Sequence, residues 1–393
     1  MKRKVDVIAD FDFFDNPVCL GTMSIDNSGY KSVVSFSFDR GWIQDSLTCK
    51  LAFQSLIPQA PGLEENYGFL FDSSPDRWGR LLIERFNETS KSLREHDYLF
   101  AVDDFLRSGA IRFRENGIFL SSDKSSVPPL ESLGRLEQAC SDYQNNNYND
   151  EIKILVNPGS SLGGARPKAN IVDKEGDLWI AKFPSKKDVY DVGLWENLIS
   201  KAAKNCGINV PETRVIKSNL ENGHIFLSKR FDRKAGKRVH ICSVYNLIGL
   251  TSNSDESSFF DILEAIEKLS FKPKEDKEEL YKRLVFSCLC NNTDNHLRNH
   301  SMMLSSQGWC LSPAYDMNIS TDSDTSVLAI DFNSHSFNKD SIIDVAPYYG
   351  IKKDQAHDLF ISMAGNLSLV KNWAASAGLS KSEIEEVMAF TQV

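Results

Sequence analysis

The sequence predicts an α+β chain in two lobes, a mixed N-terminal lobe with small sheets and a mainly helical C-terminal lobe. Three observations predict it. Between residues 151 and 233, short alternating apolar runs flank a single helical stretch. Past residue 234, apolar residues recur at helical spacing over Ser257 to Leu269 and Lys277 to Cys290. The composition, 41% apolar, 25% charged and 10% aromatic over 393 residues, is that of a folded chain long enough for two or three cores.

Residues 1–114 mix strand-like runs with polar turns, and the pattern over 43–56 fits helix and strand equally. A helix is expected over 76–88, with Ser74 or Asp76 as its cap and Pro75 in the cap region. A polar stretch over 115–150 carries one helix near 130–143 and a soft boundary. Ile152, Ile154 and Val156 then alternate like a strand, followed by a turn rich in Gly and Pro from Asn157 to Lys168. Strands are expected at 169–172 and 178–183, joined by the turn Lys174-Glu175-Gly176-Asp177. A helix fits 191–206, capped by Asp191 and stopped by Gly207, with further strands at 213–217 and 225–230. The helical half contains a hairpin-like pair around Gln307-Gly308 and ends in short helices, including Lys381 to Phe390. The chain thus divides into 1–114, 115–233 and 234–393.

A net charge of −9 disfavours unaided binding to a phosphate backbone. Two basic runs, Lys186-Lys187 and Lys229 to Lys237, are the places where a local patch would lie, and solvated turns are the ordinary reading of both. The basic Met1-Lys2-Arg3-Lys4 start is broken by Asp6, Asp10, Asp12 and Asp15, and no run approaches the ~20 apolar residues of a spanning helix, so a cytoplasmic protein without a membrane partner is expected. The eight cysteines are scattered and carry no zinc or disulfide spacing.

Four features carry chemistry, and their order matters more than any one. Gly163 to Lys168 (Gly163, Gly164, Ala165, Arg166, Pro167, Lys168) lies between strand-like runs, where successive N–H groups can cradle phosphate oxygens. Lys182 shares a strand face with Leu178 and Ile180, and Glu196 on the next helix is its candidate ion-pair partner. Asp294 and Asn299 stand five apart in a loop after a helix, the spacing at which a carboxylate takes a hydroxyl proton and an amide holds a metal. Asp316, seventeen residues beyond Asn299, is a second oxygen ligand suited to Mg²⁺. Taken singly, each has an ordinary reading as a turn, a cap or a snorkelling lysine. In sequence they follow the order of a protein-kinase-like fold.

The third and fourth motifs resemble the HipA family. Thr293-Asp294-Asn295-His296-Leu297-Arg298-Asn299 matches its Thr-Asp-x-His-x-x-Asn loop, and Pro313-Ala314-Tyr315-Asp316 its Pro-x-Tyr-Asp segment. Ser161 to Lys168 is similar to its serine followed by Gly-Ala-Gln-x-Lys, Arg230-Phe231-Asp232-Arg233 to its hinge, and Leu70 to Arg80 to its Leu-Pro-Asp-x-Trp-Gly segment. The resemblance implies an ATP-dependent serine/threonine protein kinase that acts as a toxin. Asp294 would be the catalytic base, Asn299 and Asp316 would hold Mg²⁺, and Lys182 would contact ATP phosphates. Residues 163–168 would form the phosphate loop and Lys229, Arg230 and Phe231 the adenine hinge, with His296 and Tyr315 also facing ATP. Ser161, with Ser160 as the alternative, would be autophosphorylated, and a phosphate there would repel the site and eject the loop.

The resemblance further implies a helix-turn-helix antitoxin of HipB type, contact with DNA only through it, and a protein substrate such as an aminoacyl-tRNA synthetase. Two departures stand out: Lys229 where the family often has Glu, and Arg166-Pro167 in place of Gln and a second residue in the loop. A kinase-fold co-repressor without catalysis and a small-molecule phosphotransferase are the alternatives.

Overall fold

The computed structural model describes residues 2–49, 51, 53–75, 77–86, 92–122, 127–148, 150–155, 166–220, 223–250, 257–331 and 334–393. Alternation of apolar and polar residues builds the first sheet, as in β1 (Lys2–Ala9), where Val5 and Val7 are buried around a half-exposed Asp6. With β2 (Val18–Asp26), β3 (Val33–Phe38), β4 (Gly62–Leu63), β5 (Ile111–Glu115) and β6 (Ile118–Phe119) it forms an antiparallel sheet in the order β4-β3-β2-β1-β5-β6, in which β1 itself pairs with β2 and β5. The ambiguous stretch 43–56 resolves into short helical turns, including Arg40–Gln44, Ser46–Cys49 and Phe53–Leu56. Helix α1 spans Arg77–Phe86, and residues 76, 87 and 88 of the expected 76–88 lie outside the described residues.

The middle part of the chain, called below the ATP-type lobe after the expectation from sequence, has a four-stranded antiparallel sheet of β7 (Lys168–Val172), β8 (Leu178–Lys182), β9 (Thr213–Lys217) and β10 (His224–Lys229), in the order β7-β8-β10-β9. Gly176 sits at φ 84° in the β7–β8 turn, a conformation that favours glycine. Helix α2 (Leu133–Gln144) covers one side of the lobe, and α3 (Val192–Asn205) is capped by Asp191, which accepts from Leu194 N. Gly207, at φ 72°, ends α3 as its sequence suggests. One expectation fails: Ile152 and Ile154 lie in a 3-10 turn, Asp150–Leu155, rather than a strand. Ile152 and Leu155, three apart, both bury in the core of this lobe, so i,i+3 spacing wins over a two-residue alternation too short to pair.

The C-terminal lobe contains α4 (Phe259–Leu269), α5 (Pro273–Cys290) and the small sheet of β11 to β13. Here β11 is Ile241–Ser243, β12 is Ser301–Ser305 and β13 is Gly308–Leu311, the last two forming the expected hairpin. Helices Lys353–Ser368, Val370–Ser376 and Lys381–Met388 close the chain.

Packing does not follow chain order. The first sheet shares one continuous core with the C-terminal lobe, through Phe11, Trp42, Phe53 and Phe69 against His240 and Trp309. By contrast, Trp78 and Leu82 of α1 pack into the ATP-type lobe beside Leu136, Ile171 and Trp179.

The basic run divides: Lys234 to Lys237 form an exposed turn, as expected, while the arginines on either side turn inward. Arg230 and Arg238 are buried, and with Arg233 they converge on the Arg107 carbonyl at 2.9–3.4 Å. Asp232 pairs with Arg230 at 2.7 Å and Arg233 at 2.8 Å, and accepts from Gly109 N at 2.9 Å. Burial alone would raise the Asp232 carboxyl, but the two guanidinium groups outweigh it and hold it far below its ordinary 3.8. Its contribution is complete above pH 4 and is lost as pH falls below that value towards the depressed folded pKa. Asp232→Asn is therefore expected to cost ~3–5 kcal/mol in chemical denaturation at pH 7, with a loss that shrinks in acid. An unchanged midpoint would show that the cluster adds nothing.

Candidate active site

Local rules place each functional side chain. Asn291, at φ 53°, ends α5 in the left-handed conformation, and its Nδ2 donates to Ser320 O at 2.8 Å and Ser323 O at 2.9 Å. The next loop is held from the same side: Thr293 N donates to Ser320 Oγ at 3.0 Å and Val327 N to Thr293 O at 2.9 Å. Asp294 is thereby presented on a fixed loop with its side chain 75% exposed, 4.0 Å from His296 Nε2. Partial desolvation, with the negative charges of Asp316 and Asp322, raises its carboxyl above the ordinary value against the pull of His296.

Asn299 Nδ2 donates to the Asp294 carbonyl at 2.9 Å. Only the amide nitrogen can donate there, so Oδ1 is the atom left for a ligand. Tyr315 lies half-buried, its ring 5.8 Å from that of Phe231, and its hydroxyl donates to Arg298 O at 2.9 Å and lies 2.6 Å from Ser301 Oγ.

Lys182 is the junction of the two lobes. Its Nζ reaches Glu196 Oε1 at 2.5 Å and also pairs with Asp316. Burial acts to lower the ammonium pKa, but the two carboxylates outweigh it and raise it, so the lysine stays charged. Burial likewise acts to raise Asp316, yet Lys182 and Lys168 hold it below its ordinary value, whereas in the more enclosed Glu196 desolvation prevails and the carboxyl rises. Asp316 adopts φ 54°, a costly backbone for a non-glycine residue and of the kind that clusters at functional sites.

These groups line one cleft of about 1180 Å³, together with Arg166, Lys168, Ser228, Lys229, Arg230 and Phe231. Around the hinge, Lys229 N donates to Glu212 O at 2.8 Å and Arg230 N to Leu178 O at 2.8 Å. The Lys229 ammonium pairs with Asp177 and the Arg230 guanidinium with Asp232, so both side chains have partners in the protein. Arg166 donates to Phe183 O at 2.9 Å and pairs with Asp188. Pro167 O accepts from Phe183 N at 3.0 Å, which fixes the end of the phosphate-loop segment to β8. Gly163, Gly164, Ala165, Ser160 and Ser161 lie outside the described residues.

The donor set suits Mg²⁺: the Asp316 carboxylate and the free Asn299 Oδ1 are hard oxygen ligands, and this ion takes only one or two from protein beside substrate phosphates. Among the described residues no cluster of three or more His, Cys, Asp or Glu side chains forms a separate metal cage.

The model of the HipA-like C-terminal domain matches residues 160–387, more than half of the chain. The chain belongs to the HipA-like family. Over nearly its whole length it also superposes on a solved structure titled as the HipA, HipB and operator DNA complex of the Shewanella oneidensis MR-1 toxin–antitoxin system. That match has a TM-score of 0.68 and 18% identity, and covers 98% of this chain and 94% of that one. The fold is therefore that of HipA, a two-lobed kinase-like architecture. Among curated relatives, a Haemophilus influenzae protein named "Putative kinase" is 26% identical over 204 residues, 44% of this chain. A Sinorhizobium fredii protein named "Putative kinase Y4dM" is 29% identical over 156 residues, 36% of this chain. The matched stretches span 59% and 37% of those relatives' own lengths. Among the described residues, no helix of this HipA-like chain is long and apolar enough to cross a membrane.

Sequence reasoning missed the part of the cleft wall built by residues 71–80, including Asp72, Pro75 and Arg77, although the Leu70 to Arg80 segment had already stood out as a motif. Nothing in its local pattern shows that it reaches the cleft.

Proposed function

We propose that this chain is an ATP-dependent serine/threonine protein kinase acting as the toxin of a toxin–antitoxin pair. The observation that carries the reading is Lys182, held between Glu196 and Asp316 in the same cleft that Asp294 and Asn299 face. A strand lysine tied to a helix glutamate positions ATP phosphates, and a loop carboxylate five residues before a metal-binding amide accepts the substrate hydroxyl proton. The acceptor oxygen forms a bond to the γ-phosphorus as the bond to ADP breaks, and Asp294 takes the displaced proton. Asn299 and Asp316 would hold Mg²⁺, which neutralises phosphate charge. Phe231 and Tyr315 would offer an aromatic wall to the adenine end.

A small helix-turn-helix partner of HipB type is the antitoxin we propose. It would bring the basic DNA-binding surface that a chain of net charge −9 lacks overall. The substrate is a protein hydroxyl, with an aminoacyl-tRNA synthetase as the candidate implied by family resemblance.

The test is mass spectrometry of the purified chain after incubation with Mg²⁺ and ATP. Phosphate on Ser161 or Ser160 is expected, and none in Asp294→Asn. If labelled phosphate reaches neither this chain nor any protein of a cell lysate, the kinase reading is wrong.

A further inference from the structure

The stretch 72–78 touches both lobes. At one end, Asp72 accepts three hydrogen bonds from the C-terminal lobe. Oδ1 takes Ser243 Oγ and Asn246 Nδ2, both at 2.5 Å, and Oδ2 takes Ser243 N at 3.1 Å. The approach is tight, because any Cβ at Gly68, in the turn just before, would overlap the Asn246 side chain. At the other end, Trp78 is 2% exposed in the core of the ATP-type lobe, and its Nε1 donates to the Lys168 carbonyl at 2.9 Å. Between them, Ser73 Oγ accepts from the buried Arg107, whose carbonyl receives the three arginines of the crossover between lobes.

Each end lies one step from the chemistry. Lys168 is the last residue of the proposed phosphate loop. Ser243 is the register partner of Ser301, whose hydroxyl meets Tyr315 next to Asp316, and the Tyr315 hydroxyl in turn holds the Arg298 carbonyl beside Asn299. The covalent crossover at 230–238 and the Lys182 ion pairs join the same two lobes. The contacts of Asp72 and Trp78 pass through neither, while Ser73 meets the crossover through Arg107.

We infer that Asp72 and Trp78 are positioning residues, the two ends of a non-covalent tie by which the N-terminal subdomain holds the phosphate loop at a fixed spacing from the metal-binding and catalytic loops. The inference rests on the kinase reading for its consequence but not for its geometry. In-line transfer needs the ATP end and the acceptor end in register, and small misplacements of reacting groups are costly. Neither residue reaches the reacting atoms, so the tie acts on rate by alignment.

The test uses the full-length chain with two single variants, Asp72→Asn and Trp78→Phe, and their combination. Asp72→Asn keeps the volume but turns an amide N–H₂ towards the donors of Ser243 or Asn246. Trp78→Phe removes only the N–H and part of the ring. Each single variant is expected to slow single-turnover phosphoryl transfer by ~10-fold or more. The double variant should be no slower than the worse single, because a tie released at one end has nothing left to lose at the other. Losses that multiply, or kcat unchanged with only the ATP KM raised, would overturn the proposal.

A second readout needs no activity: amide hydrogen exchange at 168–172 of the ATP-type lobe should rise in Asp72→Asn, whose substitution lies at the opposite end. Exchange altered only around 243–246 would also overturn it. If the wild type transfers no phosphate while exchange still couples the two ends, the kinase reading has failed and the tie has not. Ser243→Ala repeats the first arm should Asp72→Asn not fold.

Discussion

Asp294→Asn is expected to lower phosphoryl transfer by ~10²–10⁴-fold, the range for loss of a positioned proton acceptor. The amide keeps the shape and cannot accept the proton. The fold should not change: the side chain is 75% exposed and lies 4.0 Å from the His296 ring, so a stability change within ~0.5 kcal/mol is expected. The wild-type rate should depend on pH in a stated direction. Asp294 must be ionised to act, and its pKa is raised by partial desolvation and by the charges of Asp316 and Asp322. Transfer therefore falls as pH drops through that raised value, at a higher pH than an ordinary carboxylate would give. Rates measured across pH 4 to 8, with melting followed in parallel, separate loss of base from loss of fold. A variant that keeps the wild-type rate would take the base's role away from Asp294.

Lys182→Met is expected to damage both activity and stability, which distinguishes it from the first change. Lys182 forms ion pairs with both Glu196, 4% exposed, and the Asp316 carboxylate, so its removal leaves two carboxylates without the ammonium they share. Removing one member of a buried pair costs ~3–5 kcal/mol, through the partner left uncompensated. Activity should fall by ~10²–10³-fold, the usual loss when one preorganised charge on a transferring group is deleted. Adding Glu196→Gln to Lys182→Met should restore part of the stability, since one orphaned charge is neutralised, and none of the rate. Recovery of rate in that double variant would mean that Lys182 serves the fold alone.

The hairpin turns, the α3 cap and stop, and the helical half were legible because they depend on neighbours in the chain. Asp191 meets Leu194 N three residues on, and Gly207 takes a left-handed φ where the helix must stop. Asp294, Asn299 and Asp316 were legible as a candidate set because kinase-type chemistry imposes spacing on residue types, and they line one cleft with Lys182. The reading failed at Ile152 and Ile154, where burial against a lobe core outweighed a short alternation. In the basic run the exposed turn at Lys234 to Lys237 was legible, but Arg230 and Arg233 of the same run became part of an internal cluster around Asp232.

By itself, then, the sequence determined the α+β class, the order in which the glycine-rich turn, Lys182, Asp294, Asn299 and Asp316 follow one another, and the HipA-like family. Each rests on interactions a few residues long or on ordered motif chemistry. Only the tertiary structure decided that Lys182 bridges Glu196 and Asp316, that Arg230 turns inward, and that Asp72 and Trp78 grip opposite lobes. Those pairings join residues up to 171 positions apart, and no local periodicity records which distant donor a buried carboxylate will find.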